Sequence, residues 1–199
     1  MKSIKKRYIK LQTERFLVKT LSPNDACESL VRWLADPELM ANMNQRPEKR
    51  FMPQIERWIS SYDQAIDYLL GVFTREGTKL IGYYTVEIKQ AHRRALFTVM
   101  IGDRDYWGQG TVLETRAAII DYLFKNVQID KVVGSPIARN FPAIFNYKAQ
   151  GWTCEGIFKE HVVDANHPQR RLDLYAFGML RSDWYKLKSL QQTATSPGD

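Results

Sequence analysis

The chain has 199 residues, 44% of them hydrophobic and 26% charged, with a formal net charge of +7. This describes one soluble domain with room for a substantial core, and no apolar run is long enough to span a bilayer. Cys27 and Cys154 lack metal-ligand spacing, and the basic start Met1-Lys2-Ser3-Ile4-Lys5-Lys6-Arg7 lacks the apolar stretch of a secretory signal, so a cytoplasmic chain with reduced thiols and no metal is expected.

The elements follow from hydrophobic period and turn chemistry. Arg15 to Thr20 alternates and is rich in β-formers, a first strand. Ser22-Pro23 opens a helix expected to run to about Leu34, and Asp36-Pro37 opens a shorter one ending near Met43. Asn44 to Phe51 is polar and basic, a loop, and Pro53 to Tyr62 is a third helix. Asp67–Thr74, Leu80–Ile88 and Ala95–Ile101 are strands with short connections, which argues an antiparallel meander. A helix carrying Val112, Leu113, Ala117, Ile120, Leu123 and Phe124 inward follows. Lys131–Ile137 is a strand, about Pro142–Ala149 a helix closed by Gly151, and Thr153–Val163 and Arg170–Met179 two last strands. Residues 1–188 then form one domain, and the polar end 189–199 is expected to be disordered. The predicted class is α/β, with a mixed, mostly antiparallel central sheet and helices on both faces.

The positive charge attracts polyanions, but it falls in short clusters such as Arg93-Arg94 and Arg170-Arg171. No element gathers the cations and no docking motif accompanies them, so neither nucleic acid nor membrane is an expected partner.

The stretch from Leu96 to Phe124 organises the rest: strand, polar turn, Tyr106-Trp107-Gly108-Gln109-Gly110, then helix. A helix mouth leaves backbone N–H groups without partners, and glycines there admit an anion to the backbone. The pattern therefore serves either a tight connection or a phosphate site. A P-loop is excluded by the missing Gly-Lys-Ser/Thr, and the dinucleotide fingerprint by its missing third glycine.

Trp107-Gly108-Gln109-Gly110-Thr111-Val112-Leu113-Glu114 resembles the acetyl-CoA motif of the GNAT superfamily of N-acetyltransferases, in the branch of the ribosomal-protein-alanine N-acetyltransferases. Val112 departs from the small residue usual there, and its side chain crowds the expected pyrophosphate position. Asn140-Phe141-Pro142-Ala143-Ile144-Phe145-Asn146-Tyr147, with Gly151 following, resembles the family's second segment, Ala143 standing where serine is frequent. Glu155-Gly156, Asp173 and Asp183-Trp184 resemble the branch's closing pattern.

The resemblance implies the GNAT fold and an acetyl-CoA-dependent N-acetyltransferase acting on a primary amine by direct attack in a ternary complex. It implies Tyr147 as acid for the departing thiolate, Asn140 on the pantetheine arm, and an N–H of Met100 or Ile101 for the developing oxyanion. Trp107, Gly108, Gln109, Gly110, Thr111, Val112 and Ala143 complete the expected acetyl-CoA site. Glu87, late in the adjoining strand, is the expected base, with Glu114 and His92 as rivals. Acceptors in the branch include protein N-termini, polyamines, aminosugars and antibiotics, and homodimers are common. The Val112 and Ala143 departures also admit an alternative, an acyl-CoA-binding module that has lost catalysis.

Overall fold

A computed structural model describes residues 6–195. The strands are β1 (Lys10–Gln12), β2 (Phe16–Thr20), β3 (Asp67–Thr74), β4 (Leu80–Lys89), β5 (Arg94–Ile101), β6 (Lys131–Gly134), β7 (Thr153–Val163) and β8 (Arg171–Leu180). The helices are α1 (Glu28–Ala35), α2 (Pro37–Asn42), α3 (Met52–Ser60), α4 (Thr111–Tyr122), α5 (Phe141–Ala149) and α6 (Arg181–Thr195). All strands join one sheet in the order β1-β2-β3-β4-β5-β6-β8-β7. Only β5 and β6 run parallel; the other neighbours are antiparallel.

The sheet is covered on both faces. Leu30, Trp33, Leu39, Ile55 and Ile59 of α1 to α3 pack with Leu69, Tyr83 and Met100 on one side. Ile119, Ile120, Ile144 and Tyr147 of α4 and α5 pack with Tyr84, Val86, Ala95 and Phe97 on the other. The alternation Tyr83/Tyr84 and Phe97/Met100 is the period-two pattern of a strand buried on both faces. Each fully buried Leu, Ile or Phe contributes about 1.5–3 kcal/mol of transfer free energy, so this double layer fixes the register of β4 and β5.

Several boundaries differ from expectation. The first helix is interrupted: Pro23–Asp25 form a single 3-10 turn, and α1 begins only after Cys27. The Asp25 carboxylate accepts from Ser22 N–H and Oγ and from Lys19 Nζ, closing that turn on itself. The strand begun at Lys131 ends at Gly134, with only an isolated bridge from Ile137 to Leu174 beyond it. β1 is an addition, too short to carry a periodic signal. α6 runs into the segment expected to be disordered, as far as Thr195; residues 196–199 of that expectation lie outside the described residues. Its anchor is Trp184, which is buried and donates from Nε1 to Asp121 Oδ1 at 2.7 Å, beside Lys188 on Oδ2 at 2.5 Å. Both cysteines are free. No helix among the described residues is long and apolar enough to cross a membrane.

Candidate active site

Parallel pairing of β5 with β6 runs from Arg94↔Lys131 only to Phe97↔Gly134. Beyond that point β5 continues to Ile101 while β6 stops, and the two strands part. The direction of the freed backbone groups follows from the β4–β5 ladder. Gly102 N–H donates to Ile81 O at 3.0 Å, so hydrogen-bonded pairs recur at Tyr83↔Met100 and Thr85↔Thr98. The N–H and C=O of Met100 are therefore turned toward β4. Those of Val99 and Ile101 face the gap. Of the two expected oxyanion donors, Ile101 is the one whose N–H points into the cleft, and Val99 joins it. Ile101 O is taken by Trp107 Nε1 at 2.8 Å, which leaves its N–H.

Two cavities occupy the gap, of about 590 Å³ and about 180 Å³. They share Asn42, Met43, Val99, Asn140 and Ala143 as a common wall. The larger reaches Trp107, Gly108, Gly110, Thr111 and Val112; the smaller ends on Phe97, Ser135 and Tyr147. Among the described residues no charged side chain lines either cavity.

The larger cavity ends at the mouth of α4. Gly108 and Gly110 both have positive φ, at 71° and 72°, a conformation glycine takes without strain. Gly110 caps α4 without a side chain, and Glu114 N–H is the one that returns to Gly110 O, at 3.0 Å. The N–H groups of Thr111, Val112 and Leu113 are the helix-mouth donors. Thr111 is buried, its Oγ1 donating to Tyr106 O at 2.9 Å. Gln109 lies outside the cavity lining; its Nε2 donates to Asp105 O at 2.5 Å.

Glu114 is not free to act as a base. It accepts from Thr13 Oγ1 at 2.6 Å, Arg15 N–H at 2.8 Å and Arg15 Nε at 2.7 Å. Arg15 also donates to Gln109 O at 2.9 Å, so the pair braces the glycine turn. Burial pushes the Glu114 carboxyl up, but the donors of Thr13 and Arg15 together outweigh it and hold it below its ordinary value. His92 sits exposed on the 3-10 turn Gln90–His92 and lines neither cavity. Glu87 lies across from Leu96, which lines the smaller cavity, but its own carboxylate is bound to Lys89 and lines neither.

Tyr147 stands at the inner end. Only 4% of it is exposed. Phe177 stacks on its ring at 5.0 Å and Trp152 meets it edge-on at 4.9 Å. Burial pushes its phenol pKa up, with the Arg116 guanidinium pulling the other way, so the group is a proton donor across neutral pH. Gly134 makes room for the hydroxyl: a Cβ there would overlap it. Asn140 caps α5, Oδ1 accepting from Ala143 N–H at 3.1 Å, while Nδ2 donates to Asn42 O at 3.0 Å. Its amide thus ties α5 to α2 at the rim.

The β7–β8 loop is fastened to this same side, to α2 and the start of α5. Asp164, wholly buried, pairs with Arg139 at 2.5 Å and Arg170 at 2.7 Å. Arg139 also donates to Ala41 O, and Asn44 exchanges hydrogen bonds with Val163 O and Ala165 N–H. Val99, Asn42, Met43, Gly134 and Arg116 were missed as site residues. Two had signals: a glycine inside a strand marks close approach, and Arg116 interrupts the apolar stripe of α4.

The cleft combines a parted pair of parallel strands, a glycine-opened helix mouth and a buried phenol. The helix-mouth donors, cleft-facing amides and uncharged walls fit a phosphate-bearing thioester with an amide-rich arm. A model of the acetyltransferase (GNAT) domain matches residues 18–170, and the chain belongs to that family of acetyl-CoA-dependent amine acetyltransferases. An uncharacterised N-acetyltransferase, p20 of Bacillus licheniformis, is 26% identical over 180 residues, covering 87% of this chain and 97% of its own. The spermidine N-acetyltransferase of Vibrio cholerae, in complex with CoA and spermine, superposes with a TM-score of 0.74 at 20% identity, over 85% of this chain and 98% of that one. The ribosomal-protein-S5-alanine acetyltransferase of Vibrio fischeri gives 0.71 at 16% identity, over 88% and 98%. Among the described residues no group of His, Cys, Asp or Glu is placed to hold a metal ion.

Proposed function

We propose that this protein acetylates a primary amine of low basicity, by direct attack on the acetyl thioester while acceptor and acetyl-CoA are bound together. The observation that carries the reading is the parting of β5 from β6 directly over Tyr147, with the amides of Val99 and Ile101 turned into the gap. Acetyl-CoA would supply the thioester. The amides of Thr111, Val112 and Leu113 would take its pyrophosphate, and Val99, Ile101 and Asn140 its arm. The Ile101 N–H would polarise the carbonyl, and Tyr147 would protonate the departing sulfur.

The acceptor follows from the uncharged lining. Only a neutral amine attacks, and among the described residues no carboxylate lines the cleft to take its proton. An α-amine of pKa about 8 is roughly a tenth neutral at pH 7, whereas a lysine-like amine of pKa about 10.4 is neutral in roughly four parts in ten thousand. Of the acidic side chains that a polyamine would want, Asp36 and Glu38 are committed to Arg104 and Glu48 to Arg50, while Glu56 is exposed on α3 and lines neither cavity. A protein or peptide N-terminus is therefore favoured over a polyamine, a substrate class named for one structural neighbour and not for the other. Glu87, one strand from the cleft wall, would relay the proton through water.

The test is titration calorimetry with acetyl-CoA, then thiol release over a panel of peptide N-termini, polyamines and aminosugars. Binding with faster turnover of α-amines is expected. Binding without turnover of any amine would favour the non-catalytic module, and faster turnover of spermidine would overturn the acceptor assignment.

A further inference from the structure

Arg116 is buried beside Tyr147 with no acid to balance it. Only 1% of the residue is exposed. Its Nε donates to Gln150 Oε1 at 2.6 Å and its second terminal nitrogen to Asn146 O at 2.7 Å. Its guanidinium carbon lies 4.4 Å from the centre of the Tyr147 ring and 5.1 Å from that of Trp152. Among the described residues no ion pair includes it. A buried charge normally has a carboxylate partner, because desolvation costs several kcal/mol. Here the compensation comes from a carbonyl near the C-terminal end of α5, a glutamine oxygen and two aromatic faces. A plain tether between α4 and α5 could be built from a neutral side chain without that cost.

We propose that Arg116 is a positioning residue whose charge, paired with no carboxylate among the described residues, makes Tyr147 acidic enough to protonate the leaving thiolate. The inference rests on the reading of Tyr147 as the acid. In the transfer step the amine nitrogen forms its bond to the acetyl carbon and the carbon–sulfur bond breaks. The sulfur takes the proton of Tyr147 Oη, the nitrogen loses one to water, and water later reprotonates the phenolate. The products are the N-acetylated amine and CoA thiol. Between these events a phenolate sits in a pocket of Phe97, Trp152 and Phe177, where burial alone opposes its formation. Among the described residues, the guanidinium stacked on the ring is the charged group that lowers that barrier. Arg116 is held in place by Gln150, itself fixed by donating to Leu113 O at 2.8 Å.

The test is a double-mutant cycle in kcat, with acetyl-CoA affinity measured beside it. Tyr147→Phe is expected to lose about a hundredfold and Arg116→Gln about tenfold, with the double variant no slower than Tyr147→Phe. Arg116→Gln should shift the alkaline fall of kcat to higher pH, because removing the cation raises the phenol pKa, and Arg116→Lys should recover part of the rate. Losses that multiply, an unmoved alkaline limb, or Arg116→Lys no better than Arg116→Gln would overturn the proposal and leave a tether. An unimpaired Tyr147→Phe would instead defeat the reading of Tyr147 as acid. A measurement on the wild type covers variants that do not fold. With ring-labelled tyrosine, the Tyr147 resonance, identified by its loss in Tyr147→Phe, should titrate before that of Tyr83, which is as deeply buried but on the other face of the sheet, away from Arg116. The reverse order overturns the proposal.

Discussion

The hydroxyl of Tyr147 fills the space in which a side chain on Gly134 would begin. The contact links α5 to the last residue of β6, at the point where that strand leaves β5. Gly134→Ala would force the phenol outward or the strand aside. Overpacking of this kind costs about 1–3 kcal/mol, and the loss should appear as a lower urea midpoint with unchanged slope. Activity should fall further than stability explains, since displaced Tyr147 no longer meets the sulfur. Measuring kcat well below the unfolding transition separates the two effects.

Glu114 offers a second test, because its three donors all come from the β1–β2 turn and Arg15 continues to Gln109 O. Glu114→Gln keeps the shape and removes the charge that holds Arg15. Stability should fall by about 1–2 kcal/mol. Acetyl-CoA should bind more weakly, since the glycine turn loses its brace, while kcat at saturation stays near wild type. A drop confined to kcat would restore Glu114 as a base.

Asp164 sets a pH dependence. The Arg139 guanidinium, aided by Asn166 N–H and Arg170, holds its carboxyl at about 2, against an ordinary 3.8. A carboxyl depressed in the folded state stabilises fully above its unfolded value and loses that contribution as pH falls through the folded one. The stabilisation should therefore be intact above about pH 4 and disappear toward pH 2. Asp164→Asn should flatten that acid limb and lower the midpoint at neutral pH. Because Asp164 joins the β7–β8 loop to Arg139 at the cleft rim, acceptor KM should rise with it.

Much of this was legible in the chain. The meander Asp67–Thr74, Leu80–Lys89, Arg94–Ile101 shows itself through runs that are apolar on both faces, and the glycine turn through Gly108 and Gly110. The break after Asp25 was hidden, because Ser22, Pro23 and Asp25 are good helix-opening residues that instead close a turn with Lys19. α6 was hidden in part because its polar end contributes no apolar stripe; it is held by Trp184 and Lys188 on Asp121, by Leu187 against the core and by Arg181 on Ile129 O. The Met100 or Ile101 alternative could not be resolved from sequence, since it depends on which residues pair across β4 and β5. Val99 needed the third dimension for the same reason, while Arg116 showed only as a charge interrupting the apolar stripe of α4.

Glu87 distinguishes a relay from a direct base. Its carboxylate is bound to Lys89, and Leu96 stands between it and the smaller cavity. Glu87→Gln should lower kcat/KM by about tenfold, less than the hundredfold or more expected of a base in contact with the amine. The loss should be larger for a strongly basic acceptor than for an α-amine, which needs less help to arrive neutral. Equal losses for both, measured at fixed pH, would mean that Glu87 acts on the fold of β4 rather than on the proton.

Val112 decides how much of the helix mouth is open. It lines the larger cavity on the first turn of α4, and its carbonyl accepts from Tyr84 Oη at 3.2 Å, so the backbone there is fixed. A β-branched side chain in a helix has essentially one χ1 rotamer, so the two methyls cannot swing away from an incoming phosphate. Val112→Ala removes them and leaves the N–H donor where it is. Acetyl-CoA affinity should rise about threefold to tenfold, with kcat unchanged, because the phosphates bind equally in ground and transition states. Calorimetry with acetyl-CoA and with desulfo-CoA should report the same gain for both ligands, since the thioester is remote from the change. Unaltered affinity would mean that the anion rests on the Thr111 and Leu113 side of the mouth, and that a valine here costs the enzyme nothing.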